Sequence, residues 1–221
     1  MKAIAINGSP RRGWNTEQML NEALRGAAEA GADTQLVQLY DLSFTGCRSC
    51  FACKRIGAQP CLCYWKDDLS PLLEHILSAD MLFLGSPIYF GDVSAQVHCL
   101  LERLGFLLMT YDDYQARLFD GQVDVGVFLT MNVSVDWYEQ QILPSLERHL
   151  SPLRRLNGRL EICPACDTLQ FSEYATYHSA CFNEAHKRKV HQEQFPRDLQ
   201  AAFELGRQLA AEHLREPQNE I

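Results

Sequence analysis

Nine cysteines are many for a chain of 221 residues, and five of them, Cys47, Cys50, Cys53, Cys61 and Cys63, fall within seventeen positions. Three thiolates spaced as Cys47-x2-Cys50-x2-Cys53 can wrap one cuboidal iron–sulfur cluster, with a fourth ligand coming from nearby. Cys61 gives the shorter spacing and Cys63 is the alternative. Four thiolates also suit a structural zinc ion, and a dithiol pair suits a redox relay. Cys163-x2-Cys166 is a weaker signal. It reads first as two half-buried thiols, and otherwise as a redox pair or an aid to a second metal. Cys99 and Cys181 read as small core residues.

A second chemical signal lies near the start, in Gly8-Ser9-Pro10-Arg11-Arg12-Gly13-Trp14-Asn15-Thr16. Such a loop, leaving an apolar run and entering a helix, offers free backbone N–H groups and the positive end of the helix dipole to a phosphate. Ser9 and Thr16 add hydroxyls, Arg11 or Arg12 charge, and Asn15 an amide or a cap. A Walker A loop is excluded, because Trp14 and Asn15 stand where Lys and Ser/Thr are required, and no G-x-G-x-x-G is present. The plainer reading is an ordinary polar loop.

The elements that must position these residues follow from the alternation of short apolar runs with helical periodicity, the pattern of βαβ units and a parallel sheet. Strands are expected over 3–6, 34–39, 81–86, 123–130 and 159–163. Helices are expected over 16–30, from an Asp67–Asp68 cap through Leu77, from a Ser94 cap through Leu104, over 136–150 with a kink at Pro144, and over 197–214. Gly31 is expected to stop the first helix. The fold class is α/β, a doubly wound five-stranded parallel sheet of flavodoxin-like type, in one domain spanning 1–221. A cysteine-rich loop (41–66) and a polar, irregular excursion (164–195) interrupt it. In such sheets ligands bind beyond the carboxyl ends of the strands, where strand order reverses. That directs attention to the loops after the first and third strands.

The loop after the third strand is Ser86-Pro87-Ile88-Tyr89-Phe90-Gly91-Asp92. Tyr89 and Phe90 offer a flat apolar wall, and Pro87 and Gly91 shape a turn whose N–H groups can reach the pyrimidine edge of an isoalloxazine. Alone, the two rings could simply plug the sheet. Together with the phosphate loop, they point to a flavin mononucleotide. Thr130-Met131-Asn132 is a third candidate loop on topology alone.

INGSPRRGWNT and GSPIYFGDVSAQVHCLLER resemble the NAD(P)H-dependent FMN reductase and iron–sulfur flavoprotein families. The similarity continues into GCRSCFACKRIGAQPCLCYWKDDL and to DTLQFSEYATY and FPRDLQAAFELG. The resemblance implies a flavodoxin-like fold and an FMN-containing oxidoreductase. Ser9, Arg11, Asn15 and Thr16 would lie around the phosphate, and Pro87, Ile88, Tyr89, Phe90 and Gly91 beside the ring. It implies NAD(P)H or a protein as electron donor, and a 4Fe–4S cluster. For its fourth ligand the family pattern, a cysteine four residues before an Asp-Asp pair, favours Cys63. Trp14, His98, Cys99 and Glu102 depart from the family pattern. A non-enzymatic electron carrier, or a quinone, nitro or flavin reductase without a cluster, are the rival functions. No catalytic acid, base or nucleophile is assigned, because flavin chemistry needs little of either from the protein.

The formal net charge of −8 argues against a sequence-independent nucleic-acid binder. No run approaches the length of a membrane span, and the first residues lack a secretory signal, so a cytoplasmic location is expected. A small-molecule or protein redox partner is expected, together with a homo-oligomer in which the excursion packs on a second subunit and helps cover the flavin. His186-Lys187-Arg188-Lys189-Val190-His191 reads as a solvated basic face rather than a docking patch. His75, His98 and His149 stand at no metal-ligand spacing and read as packing or surface residues.

Overall fold

The computed structural model describes residues 1–213. Five parallel strands, β1 (Lys2–Asn7), β2 (Asp33–Gln38), β3 (Met81–Pro87), β4 (Val123–Thr130) and β5 (Asn157–Ala165), pair in the order β2-β1-β3-β4-β5. This is the flavodoxin-type order, with its reversal at β1 and β3. The helices are α1 (Asn15–Glu29), α2 (Leu69–Leu77), α3 (Ala95–Leu107), α4 (Val135–Trp137), α5 (Leu143–His149), α6 (Glu184–Glu193) and α7 (Phe195–His213). Residue 214, the expected end of the last helix, lies outside the described residues.

The inner strands bury both faces, which explains their continuous apolar runs. Ile4, Ile6, Leu82, Leu84, Val125 and Val127 face one core with α2, α3 and α5. Ala3, Ala5, Met81, Phe83 and Phe128 face the other, beneath α1 and α7. Gly31 has φ of +94° and follows the last turn of α1 as a left-handed stop. The kink expected at Pro144 is a break: α4 passes through one π turn (Tyr138–Ile142) into α5, with Pro144 in its first turn.

Two expectations need correction and a third is narrowed. The excursion is not wholly irregular, because 184–193 is helical. Its apolar face is too small to be read as periodicity, and Asn183 caps it by accepting from the His186 N–H at 3.0 Å. Ser94 occupies the N-cap position of α3 but does not cap it; its hydroxyl donates to the Gly8 carbonyl at 2.7 Å. At α2 the capping side chain is Asp67, whose Oδ1 accepts from the N–H groups of Leu69 and Ser70, both at 3.2 Å. Asp68 accepts instead from Ser43 N–H at 2.7 Å.

Helices α1 and α7 cross with backbones touching. A methyl group at Gly206 would stand 2.0 Å from the Ala23 carbonyl oxygen, and one at Gly26 2.0 Å from that of Phe203. Neither obstacle is a flexible side chain, so the helices must separate to admit it. Gly206→Ala is expected to destabilise the chain by about 1–3 kcal/mol. The check is a lowered urea midpoint with helical circular dichroism retained; an unchanged midpoint would mean a looser crossing than described.

Candidate functional site

The loop after β1 is held from beneath by a polar network. Asn7, fully buried, accepts from Ser9 N–H through Oδ1 at 3.0 Å, and its amide donates to Gln38 Oε1 at 2.8 Å. One oxygen of Glu17 accepts from Asn7, Gly13 N–H and Gln38, at 3.2, 3.0 and 2.9 Å. Gly8 N–H donates to the Gly85 carbonyl at 2.8 Å, an approach that would leave a Cβ at Gly8 only 2.8 Å from that oxygen and 2.2 Å from the Val97 side chain on α3. Only glycine admits so close a pass of loop and strand. No side chain caps the N-terminus of α1, so its first-turn N–H groups remain open.

Above this network a cleft of about 620 Å³ opens at the carboxyl ends of β1, β3 and β4. Ser9, Arg11, Asn15, Thr16, Pro87, Ile88, Tyr89 and Phe90 all line it, with Thr130, Met131 and Asn132 from the third loop. Of the nine residues expected around a flavin, only Gly91 is not on the wall; it forms the turn. The hydroxyls of Thr16 and Thr130 lie 2.7 Å apart. One hydrogen lies between them, leaving the other for a ligand. Arg11 stacks over Trp14 at 5.1 Å and donates to the Gln170 carbonyl at 2.8 Å. Asn15 does not cap α1; its amide donates to the Leu169 carbonyl at 3.0 Å. Arg12 is tied to Asp41.

Pro87–Asp92 ends in a tight hairpin. Tyr89 N–H donates to the Asp92 carbonyl at 2.7 Å, and Asp92 N–H to that of Tyr89 at 3.0 Å. Phe90 and Gly91 between them have φ of +52° and +82°, positive at both centres as a type I′ turn requires. Phe90 adopts a conformation that a bulky side chain rarely takes. Its ring is fully exposed beside the cleft.

The cleft suits a flavin phosphate on this chain's own features. An uncapped helix start, a spare hydroxyl hydrogen and a nearby guanidinium offer donors to an anion. Trp14 Nε1 and Asn132 Oδ1, on two cleft-lining residues, are buried without a partner. Its volume falls within the usual range of small-ligand sites.

Cys47, Cys50, Cys53 and Cys63 line a separate apolar cavity of about 20 Å³ with Phe51, Trp65 and Phe106. Cys61 does not; its thiol donates to the Leu118 carbonyl at 3.4 Å. Among the described residues, no three of these thiols lie within 4.8 Å of one another. Sulfurs around a multi-iron cluster stand further apart than those around one ion, because each binds its own iron. Four converging thiols suit an iron–sulfur cluster or a zinc ion. Burial pushes the Cys53 thiol up, opposed by Lys54 and reinforced by Cys63 and Cys50. The cavity lies along the second half of α3, two to three turns from the hairpin at its start, on the order of 10–17 Å along the axis.

A model of the NADPH-dependent FMN reductase family matches residues 1–145. The chain belongs to this family. An iron-sulfur flavoprotein of Methanocaldococcus jannaschii is 42% identical over 103 residues, which are 47% of this chain and 51% of that protein. One of Archaeoglobus fulgidus is 30% identical over 150 residues, 65% of this chain and 72% of the relative. The chain spans about half the length of the Methanocaldococcus protein. Among solved structures, an NAD(P)H:quinone oxidoreductase from Methanothermobacter marburgensis superposes with a TM-score of 0.71. It is 16% identical and covers 95% of this chain and 98% of its own, a likeness of fold.

In this FMN reductase family member, the residue that sequence reasoning missed is Arg103. It is almost wholly buried, pairs with Asp67 at 2.7 Å, and donates to Ser70 Oγ at 2.8 Å and Cys63 Sγ at 3.1 Å. Burial pushes the Asp67 carboxyl up, but hydrogen bonds and charge from Arg103 more than offset it and hold it low. The only signal was an arginine among the apolar positions of α3. Glu102, a departure from the family pattern, accepts from Cys47 N–H at 3.1 Å and so holds the first cysteine.

The excursion covers the cleft from its own chain. Thr168, Gln170, Phe171 and Phe182 line it. Within the excursion Phe171 stacks on Tyr177 at 4.4 Å and meets Tyr174 edge-on. Much of the basic run is solvent-facing, with His186 and Lys189 exposed, and Lys187 is the exception. Lys187 is buried and reaches Asp167 and, at 2.9 Å, the Asn132 carbonyl; Arg188 pairs with Glu184. Cys163 and Cys166 join opposite cores and are separate thiols, which burial first pushes up to about 12 and about 11. Cys181 is exposed, not core. Among the described residues no helix is long and apolar enough to cross a membrane.

Proposed function

We propose that this chain is an FMN-dependent oxidoreductase of the iron–sulfur flavoprotein type, moving electrons between NAD(P)H or a protein donor, FMN and a 4Fe–4S cluster. The observation that carries the reading is the single cleft joining the uncapped start of α1 to the Tyr89–Phe90 wall across β1, β3 and β4. FMN, when bound, supplies a ring that takes up a hydride and gives electrons up singly, while the protein sets orientation and access.

The first-turn N–H groups of α1, Ser9, Thr16 and Arg11 would bind the phosphate. Ile88 and Tyr89 N–H groups are committed to the Thr130 and Asp92 carbonyls, which leaves those of Phe90 and Gly91 for the ring edge. Phe171 and Phe182 would exclude water from above. Cys47, Cys50, Cys53 and Cys63 would hold the cluster. The homo-oligomer belongs to the same proposal, with the exposed Tyr89 and Phe90 rings as surface for a second copy to cover.

The test is the anaerobic visible spectrum of the purified holoprotein during titration with NADPH and then NADH. Bleaching of the flavin band by either is the expected result. Flavin that bleaches on photoreduction but with neither nucleotide would make the chain a carrier. Protein that retains no flavin would overturn the reading.

A further inference from the structure

We propose that Asp92, His98 and His149 form a binding site for one divalent first-row transition-metal ion, of the class that zinc represents, fastening the Tyr89–Asp92 hairpin to α3 and α5. The three side chains come from separate elements. Asp92 closes the hairpin, His98 lies in the first turn of α3, and His149 is the last residue of α5. Asp92 Oδ2 stands 3.0 Å from His98 Nε2 and 2.6 Å from His149 Nδ1, and the three ligand atoms all lie within 4.8 Å of one another.

Metal bonds of about 2.0–2.1 Å to nitrogen and oxygen in tetrahedral array put neighbouring ligand atoms roughly 3.3 Å apart. The two separations at Asp92, 3.0 and 2.6 Å, lie below that figure, so an ion is accommodated by small outward side-chain shifts. Two imidazoles and a carboxylate are a donor set that suits zinc and its first-row neighbours. Asp92 Oδ1 accepts from Val93 N–H at 2.8 Å, a hydrogen bond of the kind that orients a ligating carboxylate.

The two rings lie 5.6 Å apart and share one carboxylate oxygen, so a divalent ion between the neutral rings and the carboxylate would use all three groups at once. The side chains of His98 and His149 are 43% and 40% exposed, so an ion can enter and water can complete its coordination. The consequence is local. Asp92 is bonded through both backbone groups to Tyr89, so an ion on Asp92 would fix the base of the hairpin whose rings line the cleft.

The cysteines are the competing donors, and the test must separate the two. Cobalt(II) is titrated anaerobically into the holoprotein and into a His98→Ala/His149→Ala variant. The wild type is expected to take up one equivalent with weak visible bands and no thiolate-to-cobalt charge-transfer band. The variant should bind that equivalent at least 100-fold more weakly. Zinc should raise the melting temperature of the wild type and not of the variant. The substituted side chains are partly exposed, so equal metal-free melting temperatures establish that both fold. Equal cobalt affinity in the two proteins, or uptake that carries only the thiolate band, would overturn the site.

Discussion

Replacing Arg103 by methionine is expected to lower the stability of the chain by about 3–5 kcal/mol, the usual result of removing one partner from a buried ion pair. The Arg103 and Asp67 side chains are 2% and 10% exposed, so solvent cannot take over the charge left on Asp67. The loss extends beyond the pair. Arg103 also donates to the Thr45 carbonyl at 3.2 Å, which ties both ends of the cysteine-rich loop to α3. In urea the midpoint should fall by about 1–2 M, given the slope of about 3 kcal/mol per molar that suits a chain of this size. Arg103→Lys should recover only part of this, because an ammonium cannot reproduce the planar fork that reaches Asp67, Ser70 and Cys63. Adding Asp67→Asn to Arg103→Met should restore part of the loss, since the stranded charge is gone. A methionine variant with an unchanged midpoint would show that the buried arginine is not the strut of this loop.

The sheet was legible because its physics is local. Strands covered on both faces must be continuously apolar, and the helices between them must show one apolar stripe. The phosphate loop was legible for a related reason: glycine, serine, threonine and arginine at a strand-to-helix turn have few other uses. Helix α6 was not, since its stability comes from Asn183, from Arg188 with Glu184, and from Lys187 with Asp167, none of which leaves periodicity. The Asp92–His98–His149 group was invisible because His149 meets Asp92 and His98 only in the folded chain. Arg103 was hidden differently. Its position on α3 calls for an apolar side chain, and only the distant Asp67 makes an arginine tolerable there. The fourth cysteine lay between these cases, with spacing favouring Cys61 and the family pattern Cys63.

The cysteine geometry makes the two candidates separable by experiment. Cys63→Ser is expected to abolish retention of a four-iron cluster after anaerobic reconstitution, while Cys61→Ser retains iron and sulfide near wild-type content. Cys63 shares its cavity with Cys47, Cys50 and Cys53, and its sulfur receives a hydrogen bond from Arg103. Such bonds to a ligating sulfur also tune the reduction potential. Cys61 has φ of +58° and its thiol is turned to the Leu118 carbonyl. Both variants should keep their FMN, since the cleft lies two to three turns away along α3. Iron and sulfide analysis beside the flavin absorbance checks both statements on one sample. Iron lost from Cys61→Ser and kept by Cys63→Ser would reverse the ligand assignment. Iron and sulfide absent from anaerobically reconstituted wild type would remove the cluster and leave the FMN reading standing.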